Sequence, residues 1–273
     1  MIALVAAESS RLWARRMTRF FPLGLAVAIV AGIVIAYFVI ENDDTNSPNF
    51  VDDIAGGVEA LDLLGPVTAL LPLMAFVIGA SYIGADSKTG MLEQLLTWEP
   101  RRLRFLAARV LSLFVGVAIL AMALAAFLVA LLYVLAALTG STDGTSGEFW
   151  GNVAIIVGRT GIAAGLFSLF GMGVTLLIDN SVGSIVGFVI YWFIIENFLV
   201  AAFLPRVAPY LPITNADAFA SGRDVERISG SVFSDDFELV SVHGYLTAGI
   251  VLAVWVAAAL VMSSAVFVRR DID

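Results

Sequence analysis

The sequence predicts an all-α integral membrane protein with six transmembrane helices, an N-terminal amphipathic interfacial helix and both termini in the cytoplasm. Hydrophobic residues make up 60% of the 273 positions and charged residues only 14%, whereas about a quarter of a soluble domain is charged. A soluble protein of this length has too few polar residues to cover such a core. The uneven placement of arginine along the chain is the second observation, because it sets the orientation.

Six apolar stretches have the length that a membrane span needs. A hydrocarbon layer of about 30 Å requires roughly 20 apolar residues in a helix. The stretches cover approximately Phe20–Ile40, Leu63–Ile83, Leu106–Leu138, Val153–Leu177, Val182–Phe203 and Tyr245–Val268. We therefore predict one transmembrane domain over residues 1–273.

The basic residues predict which side of the membrane each loop occupies. Arginine and lysine are retained in cytoplasmic loops, and 11 of the 15 basic residues fall before span one, between or beside spans two and three, or after span six. Both termini and the segment 84–105 are thus expected in the cytoplasm. The acidic residues lie mostly in the opposite loops, which accounts for the net charge of −8 and gives no reason to expect a nucleic-acid partner.

Residues 1–19 show a helical pattern of their own. Glu8, Arg11, Arg15 and Arg19 share one face, while Ile2, Val5, Leu12 and Trp13 fall largely on another. This pattern indicates a helix in the cytoplasmic interface; a flexible charged tail is the alternative. The external segment 204–244 contains three prolines and is expected to fold back against the membrane as a small cap.

The segment 84–105, "GADSKTGMLEQLLTWEPRRLRF", is a polar segment between spans two and three. After Gly90, apolar residues recur at near-helical spacing with Glu93 and Gln94 between them, and Pro100 ends the pattern. The spacing predicts a short amphipathic helix whose polar side is available to a partner. A plain interfacial loop is nearly as well supported by the residues alone.

Two ionisable residues lie well inside predicted spans, away from the ends. Arg159 in span four and Glu196 in span five are expected at similar depth, and each would be costly alone in lipid. We expect a salt bridge between them or a shared polar face on a cavity; a pair that only fastens the helices is an equal alternative. The glycine pairs Gly161/Gly165 and Gly183/Gly187 predict close helix packing within the bundle, with a dimer seam as the alternative.

Catalytic signatures are missing from the sequence. A phosphate-binding loop needs lysine directly after its second glycine, whereas Gly84 and Lys88 are separated by three residues, so ATP hydrolysis is not expected in this chain. The chain has no cysteine and one histidine, His243, outside the spans, and Ser168 and Ser184 have no base within a span. We therefore expect no catalytic residue and no metal site.

One region resembles a known family. "GASYIGADSKTGMLEQLLTWEPRRLRFLAARV", residues 79–110, is similar to the region between spans two and three of ABC-2 type permeases, the membrane subunits of ATP-driven exporters. The matching positions are Gly84, Asp86, Gly90, Met91, Leu95, Leu96, Thr97, Pro100, Arg101 and Arg102. "ESSRLWARRMTRF" and "FVRRDID" resemble the entry helix and the tail of that family, and Asp86 stands where many relatives have glutamate.

The resemblance implies a function for the polar segment 84–105. In such permeases the segment after span two rests in a cleft of a separate ATPase subunit, which binds ATP and Mg²⁺, and it transmits the movement that opens the cavity alternately to each side. The residues to which the resemblance assigns this ATPase coupling are Asp86, Lys88, Thr89, Gly90, Met91, Leu92, Glu93, Gln94, Arg101 and Arg102.

The resemblance also implies the partners and the location. They are ATPase subunits, a second permease copy or a paralogue, and the lipid of the plasma membrane, with a lipid-like or drug-like substrate exported. The alternative is a membrane sensor or scaffold that is coupled to an ATPase without transport.

Overall fold

The computed structural model describes residues 2–41, 65–88, 102–139, 145–200, 203–230 and 237–269. In these ranges the chain is mostly helical. The α-helices are α1 (Ile2–Ala14), α2 (Arg16–Glu41), α3 (Gly65–Lys88), α4 (Arg102–Thr139), α5 (Gly147–Ile178), α6 (Ser181–Ile190), α7 (Pro212–Ser221) and α8 (Tyr245–Arg269). A π-helix, Tyr191–Val200, continues α6.

Three helices among the described residues are long and apolar enough to cross a membrane. Their candidate spans are Leu103–Val134 in α4, Gly147–Ile178 in α5 and Tyr245–Val266 in α8. Two shorter apolar stretches follow the same pattern, Leu70–Gly84 in α3 and Ser181–Glu196 across α6 and the π-helix. These helices indicate a membrane protein, because each of the three exceeds the length that a bilayer requires.

Helix α5 is the centre of the fold and packs against α3, α4, α7 and α8. Gly79 of α3 faces the backbone of Ser168, and Gly171 of α5 faces the backbone of Phe76. A side chain at either glycine would collide with the opposing helix, so these residues permit the close approach. Beside this contact Phe76 stacks on Phe188 of α6, with ring centroids 3.9 Å apart.

The glycine pair Gly161/Gly165 lies between α5 and α4. Gly161 faces Met122, and Gly165 faces Phe114. Because the later glycine meets the earlier α4 residue, the two helices run antiparallel. This pair therefore serves helix packing as predicted. The pair Gly183/Gly187 does not pack against another helix among the described residues. A Cβ added at Gly183 would meet Asn180, which caps the same helix, and a Cβ added at Gly187 would have no described atom within 4 Å.

A tight reversal joins α5 to α6. Asp179 adopts the left-handed conformation with φ 56°, and its N–H donates to the Thr175 carbonyl. The side chain of Asn180 then accepts hydrogen bonds from the N–H groups of Val182 and Gly183, at 3.1 Å each, and so caps α6. Two helices thus turn back on each other with almost no loop between them.

The region between the π-helix and α8 forms a small cap over one end of the bundle. It contains a 3₁₀ turn (Ala208–Tyr210), helix α7 and an antiparallel hairpin of β1 (Val225–Gly230) and β2 (Phe237–His243). Helix α7 packs against α5, α8 and α3. The Nδ2 of Asn215 donates to the carbonyls of Pro209 and Leu211, which fixes the 3₁₀ turn beside α7.

The hairpin corrects the prediction of an all-α fold. The two strands carry β-branched and alternating apolar residues, in "VERISG" and "FELVSVH", which favour extended structure. Hydropathy over stretches of span length does not detect two such short strands. The chain is therefore mostly helical with one two-stranded sheet in the cap.

Candidate functional site

The described residues of the predicted coupling segment 84–105, which we call the connector, lie at one end of the bundle, the connector end. Helix α3 ends at Lys88 and α4 begins at Arg102, so the predicted connector joins these two helices. Asp86 and Lys88 lie in the last turn of α3, and Arg102 is the first residue of α4. The other residues of this prediction, Thr89, Gly90, Met91, Leu92, Glu93, Gln94 and Arg101, lie outside the described residues.

A buried polar cluster joins the two helices that flank the connector to α1. Oε2 of Glu8 in α1 accepts a 2.6 Å hydrogen bond from the Tyr82 hydroxyl of α3 and a 2.9 Å hydrogen bond from Nε of Arg109 in α4. Its Oε1 pairs with Arg11 at 3.1 Å. Glu8 is 1% exposed, while Arg109 and Tyr82 are fully buried. One carboxylate therefore connects three helices.

The ring of Tyr82 contacts two guanidinium groups. The Cζ of Arg15 is 4.7 Å and that of Arg109 is 4.9 Å from its ring centroid. Arg109 also lies 4.9 Å from the ring of Phe105. Nη1 of Arg15 donates to the Ser81 carbonyl at 3.1 Å. Cation–π contacts strengthen when water is excluded, so the aromatic residues help to hold two cations inside the protein.

Helix α1 is positioned by an apolar contact as well as by the ion pair. Leu12, one turn after Glu8, is fully buried and packs onto Gly116 of α4, where a Cβ would meet its side chain. A helix of 13 residues is only marginally stable alone in water. Burial of Leu12 and the bonds of Glu8 therefore hold α1 on the bundle.

This packing changes the interpretation of the N-terminal region. The helix forms as predicted, but Glu8 and Arg15 of its polar face contact α3 and α4, and Trp13 on the expected apolar face is 37% exposed. Arg19 belongs to α2, after a bend at Arg15. The polar residues are directed inward because Arg109 and Tyr82 supply partners that a lipid surface does not.

The sequence contained a partial signal for this cluster. Arg109 stands several residues inside an apolar run, where a charged residue requires a partner. The charge pattern alone groups it with the basic residues beside span three. Its partner is Glu8, 101 positions away, and no periodicity or spacing rule relates positions at that distance.

The second predicted polar site lies at the opposite end of the bundle, below the cap. Oε1 of Glu196 accepts hydrogen bonds from the backbone N–H of Thr214 at 2.6 Å and from its hydroxyl at 2.9 Å. Tyr191, five residues earlier in the π-helix, also hydrogen-bonds this carboxylate, and the π-helical i to i+5 spacing brings the two close. Glu196 thus caps the N-terminus of α7, whose own cap residue, Leu211, supplies no side-chain hydrogen bond.

Arg159 has a different neighbour from the one expected. Its guanidinium lies over the ring of Tyr245, 4.1 Å from the centroid, and beside Gly222 at the end of α7. The described residues contain no ion pair between Arg159 and Glu196. The sequence places both residues near the same end of their spans, but α8 supplies a partner to Arg159 and the cap supplies one to Glu196.

Nucleophilic and metal chemistry find no support in the described ranges. Ser168 donates its hydroxyl to the Gly165 carbonyl at 2.7 Å, and Ser184 donates to Asn180 at 2.8 Å, as ordinary intrahelical bonds. The part of the chain that the structure describes has no group of three or more potential metal ligands among His, Cys, Asp and Glu.

The fold and the buried cluster define a helical membrane protein whose N-terminal helix is bonded into its bundle. The chain belongs to the family described as Protein of unknown function (DUF2705), whose family model matches residues 25–272. No curated protein and no solved structure matches the chain.

Proposed function

We propose that this chain is the membrane subunit of an ATP-binding cassette exporter that moves a hydrophobic, lipid-like or drug-like substrate across the plasma membrane. In this proposal the chain spans the membrane six times with both termini in the cytoplasm. Separate ATPase subunits bind ATP and Mg²⁺, and a second copy or a paralogue completes the permease. The basis is the resemblance of residues 79–110 to ABC-2 type permeases, together with the apolar helices.

The observation that carries the proposal is the bonding of the connector's flanking helices to α1. Tyr82 lies six positions before Lys88, and Arg109 lies seven after Arg102, so both anchor points stand within about two turns of the connector. Glu8 bonds both of them. A push on the connector would therefore move α1, α3 and α4 as one unit, which is the property that mechanical coupling requires.

The six-span arrangement agrees with the contacts at the two ends. Gly84, near the end of α3, meets Ser181 at the start of α6, so the reversal between α5 and α6 lies at the connector end. The cap lies at the opposite end, where α7 contacts α8 near its start through Gly249 and Phe219. Arginines cluster at the connector end, which favours its placement in the cytoplasm.

The test is reconstitution with ATP-binding cassette ATPase subunits that are encoded in the same genome. We expect the two proteins to purify together and the ATPase to be stimulated in proteoliposomes that contain this chain. Glu93→Ala and Arg101→Ala in the connector should abolish stimulation while the exposed Arg16→Ala, at the same end, leaves it intact.

Two results would contradict the proposal or change it. Failure of every encoded ATPase to bind the full chain would remove the transporter function. Binding with nucleotide turnover that no hydrophobic substrate stimulates would favour the sensor or scaffold instead.

A further inference from the structure

Arg159 carries a guanidinium group whose N–H donors have no oxygen acceptor among the residues that the structure describes. Its Cζ lies over the ring of Tyr245, 4.1 Å from the centroid, and no hydrogen bond or ion pair of Arg159 occurs in the described ranges. A guanidinium presents five N–H donors in its own plane. The contact with the Tyr245 ring therefore positions the cation and leaves those donors available.

The guanidinium group is also held from a second side. A Cβ added at Gly222, the residue that ends α7, would collide with Nη1 of Arg159, and the φ of 80° at Gly222 is one that glycine adopts without strain. The side chain of Arg159 is partly exposed. A cation that is already positioned in this way loses less conformational freedom on binding a ligand than a free surface arginine does.

Helices α5 and α8 run side by side in the same direction, which fixes the depth of Arg159. Gly173 of α5 faces Ala259 of α8. Each of these residues lies 14 positions after one member of the contact between Arg159 and Tyr245. Arg159 is therefore level with the first residue of α8, and α5 begins 12 residues before this level.

This level is one edge of the apolar layer. The candidate span of α8, Tyr245–Val266, has 22 residues, which corresponds to about 33 Å of helix and matches a hydrocarbon layer of about 30 Å. Tyrosine at the first position of such a span is typical of a membrane interface. Arg159 thus lies where the hydrocarbon ends and the headgroups of the lipids begin.

A cation at this depth requires an anionic partner, and the neighbouring carboxylates are bonded elsewhere. Glu196 accepts from Thr214. Asp224 accepts from the hydroxyl of Ser241 at 3.2 Å. Phosphate groups of phospholipids are the anions that lie at the edge of the hydrocarbon layer, and the planar fork of arginine matches a phosphate with two parallel hydrogen bonds.

We propose that Arg159 binds the phosphate group of a phospholipid in the leaflet at the cap end, with Tyr245 holding the guanidinium in position. Such a lipid would connect the end of α7 and the start of α8 to the membrane, because both contact the guanidinium. The proposal requires that the chain lies in a membrane, but it requires neither an ATPase nor transport. Its failure would leave the proposed export function unaffected.

The test compares a lipid that has a phosphate group with one that lacks it. The full chain is purified from bilayers that contain equal amounts of phosphatidylglycerol and a diglucosyl diacylglycerol with identical acyl chains, and the retained lipids are quantified by native mass spectrometry. We expect phosphatidylglycerol to be retained preferentially. Arg159→Gln should reduce this preference about tenfold, the lower end of what a hydrogen bond to a charged group contributes.

Three further variants separate a positioned cation from surface charge. Arg206→Gln removes an exposed arginine from the same cap and should leave the preference unchanged. Tyr245→Leu removes the ring and should reduce the preference about threefold, within the range of an exposed cation–π contact, whereas Tyr245→Phe should preserve it. Arg159→Lys keeps the charge without the planar fork and should fall between the unmodified chain and Arg159→Gln.

Inorganic phosphate distinguishes a lipid from a soluble ligand. At millimolar concentration it should not displace the retained phosphatidylglycerol, because the acyl chains add to the affinity of the lipid; displacement would assign the site to a soluble phosphate and overturn the proposal. Equal retention of the two lipids by the unmodified chain would overturn it too. So would an unchanged preference in Arg159→Gln and Tyr245→Leu. If Arg159→Gln does not fold, Arg159→Lys and Tyr245→Leu decide the question.

Discussion

Glu8 and Arg109 form an ion pair with 2.9 Å between Oε2 and Nε, although 101 positions separate them in the chain. Both side chains are almost completely buried. Two charges removed from water are tolerated only when their geometry is good and further hydrogen bonds satisfy them, and Tyr82 and Arg11 supply such bonds to the carboxylate. The pair ties α1 to the bundle beside the predicted connector.

Breaking this pair should destabilise the protein strongly. Arg109→Met leaves the buried Glu8 carboxylate with only the partly exposed Arg11 as a cation, and we expect a loss of about 3 kcal/mol in the free energy of unfolding, the lower end of the range for a broken buried pair. The double variant Glu8→Met/Arg109→Met removes both charges and should recover most of that loss. The measurement is unfolding of the purified chain in a denaturing-detergent titration, with Arg16→Met as the control. Equal losses in the single and double variants would show that the charges are not coupled.

The hydroxyl of Tyr82 can be tested apart from its ring. Tyr82→Phe keeps the aromatic face beside Arg15 and Arg109 but removes the 2.6 Å hydrogen bond to Glu8. A hydrogen bond to a charged group contributes about 1.5–3 kcal/mol, so the loss should be smaller than for Arg109→Met. Tyr82→Leu, which also removes the ring, should cost more. If the two variants are equally stable, the ring contributes nothing to holding the arginines.

Much of the helical layout was predictable because membrane helices follow from hydropathy over a fixed length. The predicted stretch Val153–Leu177 lies within α5, and Tyr245–Val268 coincides with α8 to within one residue. The length of an apolar stretch shows whether that stretch can cross the bilayer. It does not report what lies outside the spans, which is why the hairpin and α7 were not predicted as elements.

The polar sites were less predictable, because each depends on which helices meet. The sequence singled out Arg159 and Glu196 correctly as charged residues that need partners, but their partners, Tyr245 and Thr214, belong to α8 and to the cap. Likewise the helical pattern assigns Glu8 to a polar face of α1 but does not show what that face contacts. A partner in space can be found only when the packing of distant segments is known.

The close contact between α3 and α5 should depend on glycine. Gly171 faces the backbone of Phe76, so Gly171→Ala forces the helices apart and should cost about 1–3 kcal/mol, as overpacking does. Gly158 lies in the same helix with nothing within 4 Å of a Cβ, so Gly158→Ala should stabilise α5 by about 0.5–1 kcal/mol. Both variants are compared in the same unfolding titration. A stabilising effect of Gly171→Ala would contradict the close contact.

The carboxylate of Glu196 should hold the start of α7 in place. Its Oε1 accepts from the N–H and hydroxyl of Thr214, and its Oε2 accepts from the N–H of Ile213 at 3.4 Å. Because Leu211 cannot cap the helix with its side chain, Glu196→Ala leaves the first amides of α7 without their acceptor. A lost cap costs about 1 kcal/mol.

Hydrogen–deuterium exchange of the full chain measures this effect at the affected amides. In Glu196→Ala the amides of Ile213 and Thr214 should exchange about fivefold faster, which corresponds to about 1 kcal/mol. Thr214→Val removes only the hydroxyl donor and should have a smaller effect, and Glu226→Ala, an exposed carboxylate in the same cap, should have none. Unchanged exchange at Thr214 in Glu196→Ala would show that α7 is held by its apolar contacts with α5 and α8, and that Glu196 contributes nothing to the position of the cap.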